Sequence, residues 1–266
     1  MGQAKGEKRL NGGPGFLMDG ESNMNHIETG DYLVRLLDPS DPSELREVQR
    51  LRYEYLLKDF DEKKNEAEGL DDDGYDPLTE SIVVIDKRNG KIVGTYRLAT
   101  AKTLKGRPYK SEEEFDISSL KEDPDGIVEA GRAVVHGDYR NGTVIALLWK
   151  GLLTYARDQH LRYIFGTCSL HGTDPEKYVN TTSVLNQHHL SERFDVRAVR
   201  DSFEYGTKKD LQKSEAEIPG LLKAYLMMGA TVSRNGFIDH DFNCCDVMTI
   251  LDCQTINQRF LKHFMG

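Results

Sequence analysis

The stretch EAGRAVVHGDYRNGTVIALLWKGLLTYA, residues 129–156, decides the fold class because it joins a strand to a long apolar helix. Residues 127–136 have the pattern of a β-strand, and a glycine-containing turn follows them. Residues 143–159 then have the apolar spacing of a helix, and residues 163–168 are again strand-like. This order predicts a right-handed crossover between two near-parallel strands.

The rest of the chain predicts further strands and helices around this unit. Residues 32–37 and 81–86 have strand patterns, and residues 87–90 predict a type I′ hairpin turn. Ser43 is the expected N-cap of a helix over residues 44–60. The expected fold class is therefore α/β (α+β), with a mixed twisted sheet and helices on both faces. Helices over 174–190 and 218–228 and strands over 194–203 and 246–252 complete the predicted elements.

The chain divides into a tail and one domain. Residues 1–30 are rich in glycine and polar residues and have no periodicity, so we expect a mobile N-terminal tail. Residues 31–266 contain no convincing linker, which predicts a single domain. With 266 residues, 38% of them hydrophobic, the chain is long enough to bury a sizeable core without disulfide bonds.

The composition argues against two classes of protein. The net charge of -9 argues against broad electrostatic binding to nucleic acid. No apolar run approaches the roughly 20 residues of a membrane-spanning helix, and the N-terminus lacks the apolar core of a signal peptide. We therefore expect a cytoplasmic protein, and peripheral contact with the inner face of the cell membrane stays open.

Neither the cysteines nor the acidic residues have the spacing of a metal site. The four cysteines, two of them adjacent at positions 244 and 245, fit no zinc pattern and indicate reduced thiols. The acidic loop around Asp71, Asp73 and Asp76 fails as a calcium loop, because Gly74 and a missing distal glutamate break the required spacing. No metal and no cofactor are expected.

The turn before the long helix has the features of a phosphate site. The first turn of a helix presents N–H groups without internal partners, at the positive end of the helix dipole. Gly142 allows a ligand to approach the backbone closely, and Arg140 adds a positive charge. The alternative is an ordinary strand-to-helix turn that is capped by Thr143.

Glu129 and Arg132 form the second candidate site. Residues three apart on a regular strand point to opposite faces, so these two can act together only if the strand bulges between them. Gly131 is the residue that would permit such a bulge. The alternative is a half-buried ion pair, or two solvated charges at a sheet edge.

The two candidates together indicate acyl transfer from a thioester. A bulge opens the sheet and leaves N–H groups free to polarise a thioester carbonyl, and the helix N-terminus can hold the phosphate of a carrier arm. A carboxylate can then take a proton from the incoming amine. The long helix is apolar nearly all round, so it is a core helix, one wall of an acyl tunnel, or both.

The stretch resembles the GNAT acetyltransferase fold, whose pyrophosphate loop has an Arg/Gln-x-x-Gly-x-Gly/Ala pattern that is degenerate here, at residues 140–145. Over about residues 51–264 the chain more closely resembles the bacterial L-ornithine N-alpha-acyltransferase family, often labelled "hemolysin-like". That family is similar to acyl-homoserine-lactone synthases and N-acyl amino acid synthases. The segments that carry the resemblance are LRYEYL (51–56), DDDGYDPLTESIVVID (71–86), IVGTYRL (92–98), EAGRAVVHGDYRNGTVIALLWKGL (129–152), and IPGLLKAYLMMGATV (218–232) with FIDHDFNCCDVMTILD (237–252).

The resemblance implies an enzyme that moves a long-chain acyl group, 3-hydroxylated or not, onto the α-amino group of an amino acid. The co-substrate is an acyl carrier protein or coenzyme A thioester, the acceptor is ornithine, glycine or another amino acid, and the product is an N-acyl amino acid lyso-lipid. Asp241 and Asp246 are expected to make structural hydrogen bonds. The implied site residues are Glu129 as the catalytic base, Arg52, Asp71, Asp73, Arg97 and Arg132 around the acceptor, and Val134, Arg140, Asn141, Gly142 and Thr143 around the phosphopantetheine arm.

Acyl carrier protein is strongly acidic, so the chain needs a basic surface to receive it. Two basic regions are candidates, and either could be solvated surface only. One consists of Arg157 and Arg162. The denser one contains Arg193, Arg197, Arg200, Lys208, Lys209 and Lys213.

Two other functions stay open: acyl-homoserine-lactone synthesis, which requires S-adenosylmethionine as the acceptor, and lipid binding without catalysis.

Overall fold

The computed structural model describes residues 26–60, 69–209, 217–257 and 259. Most of the predicted tail lies outside these ranges, but its last part does not. Strand β1 (Ile27–Thr29) pairs antiparallel with β2 (Tyr32–Leu36), and Gly30 between them has a φ of +55°. The sheet therefore begins inside the predicted tail, because the buried side chain of Ile27 belongs to the core.

A ten-stranded sheet forms the centre of the described part of the chain. Its order is β1-β2-β3-β4-β6-β7-β12-β11-β9, with β10 paired to β12, and β5 and β8 form a separate two-stranded sheet. Among these pairs, β6 with β7 is parallel and the others are antiparallel. The further strands are β3 (Glu80–Asp86), β4 (Lys91–Ala99), β5 (Phe115–Asp116), β6 (Ile127–Val135), β7 (Tyr163–His171), β8 (Arg197–Ala198), β9 (Ser202–Phe203), β10 (Thr231–Val232), β11 (Gly236–Asp239) and β12 (Cys244–Asp252).

Helices cover both faces of the sheet, as the sequence predicts. The long helix α5 packs on one face together with α7, and α1 packs on the other against Val83 and Val134. The helices are α1 (Pro42–Arg52), α2 (Lys58–Phe60), α3 (Ala101–Leu104), α4 (Ser118–Lys121), α5 (Thr143–Asp158), α6 (Val179–His188) and α7 (Gly220–Met228). A π-helical turn (Tyr53–Leu57) joins α1 to α2, and 3₁₀ turns cover Asp76–Leu78, Lys110–Glu113, Gly137–Tyr139 and Pro175–Tyr178.

The crossover from β6 through α5 to β7 is confirmed, and its two strands separate soon after they meet. Within the described chain they pair only through residues 127–129 of β6, where Glu129 lies opposite Phe165. Gly166 follows at the point of separation, and a Cβ atom there would lie 2.1 Å from the carbonyl oxygen of Ala130. A side chain cannot fit at Gly166, so this glycine permits the close approach that precedes the split.

The predicted bulge in β6 is present, but its position differs by one residue. Thr95 of β4 pairs with Val134 and Arg97 pairs with Gly131, so two residues of β6 face Tyr96. The left-handed backbone conformation lies at Arg132, with a φ of +54°, whereas Gly131 is not left-handed. This conformation costs a non-glycine residue about 1–2 kcal/mol, so the surroundings of Arg132 must hold it in place.

Three local predictions are corrected. The hairpin after β3 contains no type I′ turn, because Gly90 has a positive φ and Asn89 does not. Its loop is instead closed by Asp86, which accepts hydrogen bonds from the backbone of Arg88 and Gly90. The N-cap of α1 is Asp41 rather than Ser43, because Pro42 already occupies the first helical position. The strand predicted over 194–203 is two separate two-residue strands.

Candidate active site

A cavity of about 940 Å³ lies where β6 and β7 separate. Side chains on opposite faces of the sheet line it. Glu129 and Arg97 share one face, because Ala99 pairs with Glu129 and successive residues alternate. Tyr96 and Cys168 belong to the core on the other face. The cavity therefore crosses the sheet through the split.

The cavity is apolar on the α5 side. Gly142, Ile145, Ala146 and Trp149 line it, and their spacing places them on one side of the helix. Helix α7 adds Leu221, Leu222 and Ala224. The remaining apolar residues of α5 pack on the sheet, so the helix is both a core element and a wall of the cavity.

Glu129 lies at the last paired position before the split, and its carboxylate is bound by backbone groups. Its Oε1 accepts a hydrogen bond from the N–H of Ser111 at 2.7 Å, and its Oε2 accepts one from Lys110 at 3.0 Å. These residues begin a 3₁₀ turn, whose first N–H groups lack internal partners. Burial raises the pKa of Glu129, and the bonds from Ser111 and Lys110 oppose the rise. The ion pair between Glu129 and Arg132, which was the alternative interpretation of the sequence, is not formed, since Arg132 pairs with Asp71 and Asp73 instead.

The predicted acceptor-binding residues meet, but they pair with one another. Arg97 donates to both oxygens of Asp73, at 2.6 and 2.7 Å. Arg132 donates from Nε to Asp71 at 3.0 Å and from Nη2 to Asp73 at 3.4 Å. Both arginines line the cavity, whereas the aspartates lie behind them. We call Arg52, Asp71, Asp73, Asp76, Arg97 and Arg132 the arginine–aspartate network.

Arg52 is the buried centre of the network. Its Nη1 and Nη2 donate to the two oxygens of Asp76 at 2.8 and 2.7 Å, and Nη2 also donates to the carbonyl of Asp71 at 2.6 Å. Its Nε lies 2.9 Å from the Asp71 carboxylate, although it is not aligned for a hydrogen bond. The side chain is 0% exposed and does not line the cavity. Arg52 therefore braces the acidic loop against α1.

The charges of the network compensate one another. Burial alone would raise the pKa of Asp73, but the hydrogen bonds and charge of Arg97, together with the charge of Arg132, hold it well below its usual range. The same balance, with Arg52 as the main partner, lowers the pKa of Asp76. Three arginines thus face three aspartates.

The predicted phosphate loop reaches the cavity through two of its residues, Arg140 and Gly142. Gly142 is the N-cap of α5, with a φ of +96° and open space where a Cβ would lie. Asn141 accepts a hydrogen bond from the N–H of Thr143 at 3.0 Å, and neither of these two lines the cavity. Arg140 donates to Asp59 at 2.8 Å and to the carbonyl of Tyr55 at 3.1 Å. Val134 also lines the cavity.

The cavity wall also contains carboxyl groups for which the sequence predicted no role in binding or catalysis. We call three of them, Glu114, Asp239 and Asp246, the acidic cluster. Asp246 makes the predicted structural hydrogen bonds, from Ser169 Oγ at 2.5 Å and from Cys244 Sγ at 3.2 Å, but it also lines the cavity. The sequence offered one weak signal, since Asp239 and Asp246 lie in two mostly apolar strands, β11 and β12.

Two carboxyl groups of this cluster, those of Glu114 and Asp246, have raised pKa values. Burial, followed by the negative charges of Asp246, Asp239 and Glu129, raises the pKa of Glu114 to about 9, and Lys110 opposes the rise. Burial also raises the pKa of Asp246 to about 6, against the bonds from Ser169 and Cys244. The Oε2 atom of Glu114 is buried and has no hydrogen-bond partner among the described residues.

In the described ranges, none of the helices is long and apolar enough to cross a membrane.

A sequence-family profile described as "Acetyltransferase (GNAT) domain" matches residues 51–150. An L-ornithine N(alpha)-acyltransferase of Rhodobacter capsulatus is 30% identical over 251 residues, which cover 88% of this chain and 94% of the relative. The enzyme of the same name from Brucella abortus is 28% identical, with 88% and 89% covered.

The similarity of this chain to solved structures is evidence for its fold alone. A coenzyme A-dependent acyl-homoserine lactone synthase superposes with a TM-score of 0.50 at 13% sequence identity, covering 88% of this chain and 87% of that one. The predicted class, a GNAT-like mixed sheet with helices on both faces, is thereby confirmed.

Proposed function

Because this chain belongs to the L-ornithine N(alpha)-acyltransferase family, we propose that it transfers a long-chain acyl group, 3-hydroxylated or not, from acyl carrier protein to the α-amino group of ornithine. The product is an N-acyl amino acid, a lyso-lipid precursor of an aminolipid. The observation that carries the proposal is the cavity through the sheet, which is apolar on one face and charged on the other.

The apolar side of the cavity suits the donor. A phosphopantetheine arm enters past Arg140 and Gly142, at the positive end of α5. Its acyl chain lies against Ile145, Trp149 and Leu222, where burial of each CH₂ group contributes about 0.8 kcal/mol. The thioester reaches the split, where β6 beyond Glu129 no longer pairs with β7 and its backbone is free to bind the carbonyl.

The charged side suits an amino acid acceptor. Arg132 is 20% exposed, lines the cavity and is held by two aspartates, so its guanidinium is already oriented for the α-carboxylate. Arg97 lines the same wall. The α-ammonium then lies towards Glu129 at the split.

Glu129 is the proposed base. It takes a proton from the α-ammonium, the amine nitrogen attacks the thioester carbonyl carbon, and the carbon–sulfur bond breaks as the amide forms. The pantetheine thiolate leaves and takes up the second proton, which the nitrogen loses as the amide forms. The pKa of Glu129, raised by burial, favours this proton transfer over that of an ordinary exposed carboxylate.

The proposed carrier protein binds beside the cavity, at the denser of the two basic regions. Arg200 of this region lines the cavity, whereas Lys213 lies outside the described residues. The second region is less suited, because neither Arg157 nor Arg162 lines the cavity. Since the product is a lipid, we also infer peripheral contact with the inner face of the membrane, and the exposed Met227 of α7 is placed to make it.

A product assay tests the proposal. The full chain is incubated with a long-chain 3-hydroxyacyl carrier protein, or the matching coenzyme A thioester, and with ornithine, glycine or S-adenosylmethionine. Mass spectrometry should find N-acylornithine, formed fastest from the carrier-protein donor. A lactone formed from S-adenosylmethionine, or donor binding without transfer to any acceptor, would overturn the assignment.

A further inference from the structure

The acidic cluster lies on the same face of the sheet as Glu129. Glu129 pairs with Phe165 on β7, and Ser169 lies four residues further along that strand. Asp246 pairs with Ser169, so its side chain shares the face of Glu129. The cluster therefore borders the half of the cavity that receives the acceptor.

The cluster lacks a cationic partner within the part of the chain that the structure describes. The hydrogen-bond donors of Asp246 are a hydroxyl and a thiol, both neutral. Asp239 accepts from the N–H of Phe242 at 2.8 Å. Glu114 has a buried oxygen with no partner. None of the three carboxyl groups forms an ion pair there, in contrast to the aspartates of the arginine–aspartate network.

Buried carboxylates without a cation are unstable in the charged form. The raised pKa values of Glu114 and Asp246 follow from this, with the nearby charges of Lys110 and Arg132 giving only partial relief. A cation that entered the cavity would remove the repulsion and bring the free oxygen of Glu114 into a hydrogen bond.

The chemistry of the cluster favours an ammonium over a metal ion. One oxygen of Asp239, the sulfur of Cys244 and one oxygen of Asp246 lie within 4.8 Å of one another. However, burial and the charge of Asp246 raise the pKa of Cys244 strongly, so the thiol keeps its proton and donates it to Asp246. A metal ion would have to displace this proton before the sulfur could bind it, whereas an ammonium offers three N–H donors to three carboxyl groups without that cost.

We propose that the acidic cluster binds the side-chain ammonium of the acceptor and so selects a diamino acid over neutral amino acids. The inference rests on the proposed function, since it assigns a second anchor point to the same acceptor. Arg132 lies near enough to Asp246 for its charge to act on that carboxyl group, so the anchors for the α-carboxylate and the side chain are neighbours. Glu114, Asp239 and Asp246 are thus specificity-determining residues.

The test compares ornithine with norleucine, in which a methyl group replaces the side-chain ammonium. The wild-type chain should prefer ornithine by about 100-fold or more in kcat/KM, because norleucine leaves the buried carboxyl groups without a partner. Asp246→Asn and Glu114→Gln should lower kcat/KM for ornithine about tenfold and change the value for norleucine by less than about twofold. Glu204→Gln, at an exposed position outside the cavity, should change neither.

The outcomes separate this inference from the proposed function. Absence of transfer to every amino acid would remove the function itself. Equal use of ornithine and norleucine by the wild-type chain would leave the function in place and remove the acidic cluster as a selector. If Asp246→Asn and Glu114→Gln both kept the wild-type preference for ornithine over norleucine, the acidic cluster would likewise be removed as the selector. The comparison of ornithine with norleucine on the wild-type chain tests the proposal even if a variant fails to fold.

A binding measurement on the wild-type chain gives an independent test. The charge of a bound ammonium lowers the pKa of a neighbouring carboxyl group. At pH 7 it should drive the proton off Glu114, whose pKa is about 9, whereas Asp246, with a pKa of about 6, is already mostly ionised. Calorimetry at pH 7 in two buffers of different ionisation enthalpy should therefore show proton release with ornithine and none with norleucine. Equal proton release with both acceptors would contradict the proposal.

Discussion

The arginine–aspartate network and the acidic cluster border the same cavity, and they differ in how their charges are compensated. In the network, Arg97 and Asp73 face each other with two short hydrogen bonds. In the cluster, Asp246 and Glu114 face other carboxyl groups and neutral donors. The charges of the network balance one another, whereas the carboxyl groups of the cluster form no ion pair with any residue that the structure describes.

The difference predicts opposite responses to mutation. Removal of one partner from the network leaves a buried charge alone, which destabilises the fold. Removal of one carboxyl group from the cluster relieves repulsion, which stabilises the fold and weakens function. The sign of the change in unfolding free energy therefore tells which region is structural.

The largest effect is expected for Arg52→Met. Methionine fills part of the volume but leaves Asp71 and Asp76 without their buried partner, so unfolding should become easier by about 3–5 kcal/mol. Chemical denaturation measures this loss. Arg197→Met is the control, because Arg197 and Asp195 are exposed and such a pair contributes less than about 1 kcal/mol. Similar losses in both variants would show that burial does not distinguish the network.

Glu129→Gln comes next and combines two losses. Its amide nitrogen would face the N–H of Lys110 or Ser111, which should cost about 1–3 kcal/mol of stability. Loss of the base should lower kcat by about 10²–10⁴-fold. Rates are measured well below the melting temperature, with binding of the acyl donor as the control. A destabilised variant with unchanged kcat would make Glu129 a structural residue of the 3₁₀ turn only.

The sequence predicted the crossover from the apolar periodicity on both sides of the glycine turn, and it predicted the bulge from Gly131 between Glu129 and Arg132. It misplaced the strained residue. Gly131 could adopt any conformation, but Arg132 takes the left-handed one, with its side chain held by Asp71 and Asp73. These aspartates are about sixty positions away, so no local pattern reports them.

Two variants of Arg132 separate its backbone from its side chain. Arg132→Gly and Arg132→Ala both lose the proposed anchor for the α-carboxylate, so KM for ornithine should rise about tenfold in each. Their stabilities should differ by about 1 kcal/mol in favour of glycine, because alanine keeps the strain of the left-handed conformation. Thermal unfolding measures the difference, and equal stabilities would mean that the bulge relaxes when the ion pairs are lost.

The sequence analysis predicted the arginine–aspartate network as part of the candidate site, but it did not predict the acidic cluster. The resemblance implied a site role for five residues of the network and none for Asp239 or Asp246, although these two also lie in a segment that carries it, residues 237–252. The acidic cluster joins Glu114, which precedes β5, to Asp239 and Asp246 on a distant hairpin. Each looks like an ordinary acidic residue in the sequence, and only the folded sheet shows that they share a buried wall without a cation.

The smallest effect, and the one of opposite sign, is expected for Glu114→Gln. The pKa of Glu114 is about 9 in the folded chain, above its ordinary value of 4.5. Its protonated form is therefore favoured by folding, and this contribution is full below pH 4.5 and is lost as the pH rises towards 9. Glutamine imitates the protonated form at every pH. The variant should match the wild-type chain near pH 5 and exceed it by up to about 1 kcal/mol near pH 8.

Scanning calorimetry of both chains at pH 5, 7 and 8 measures this difference, and about 1 kcal/mol corresponds to roughly 2–4 °C in Tm for a domain of this size. Groups far from Glu114 titrate equally in both chains, so they cancel in the comparison, and relief of the neighbouring Asp246 is part of the expected gain. Saturating ornithine should reverse the order, because only the wild-type chain offers the full cluster to the side-chain ammonium. A variant that is less stable than the wild-type chain at pH 8 without ligand would show that Glu114 already has a stabilising partner, and the contrast between the two regions would be lost.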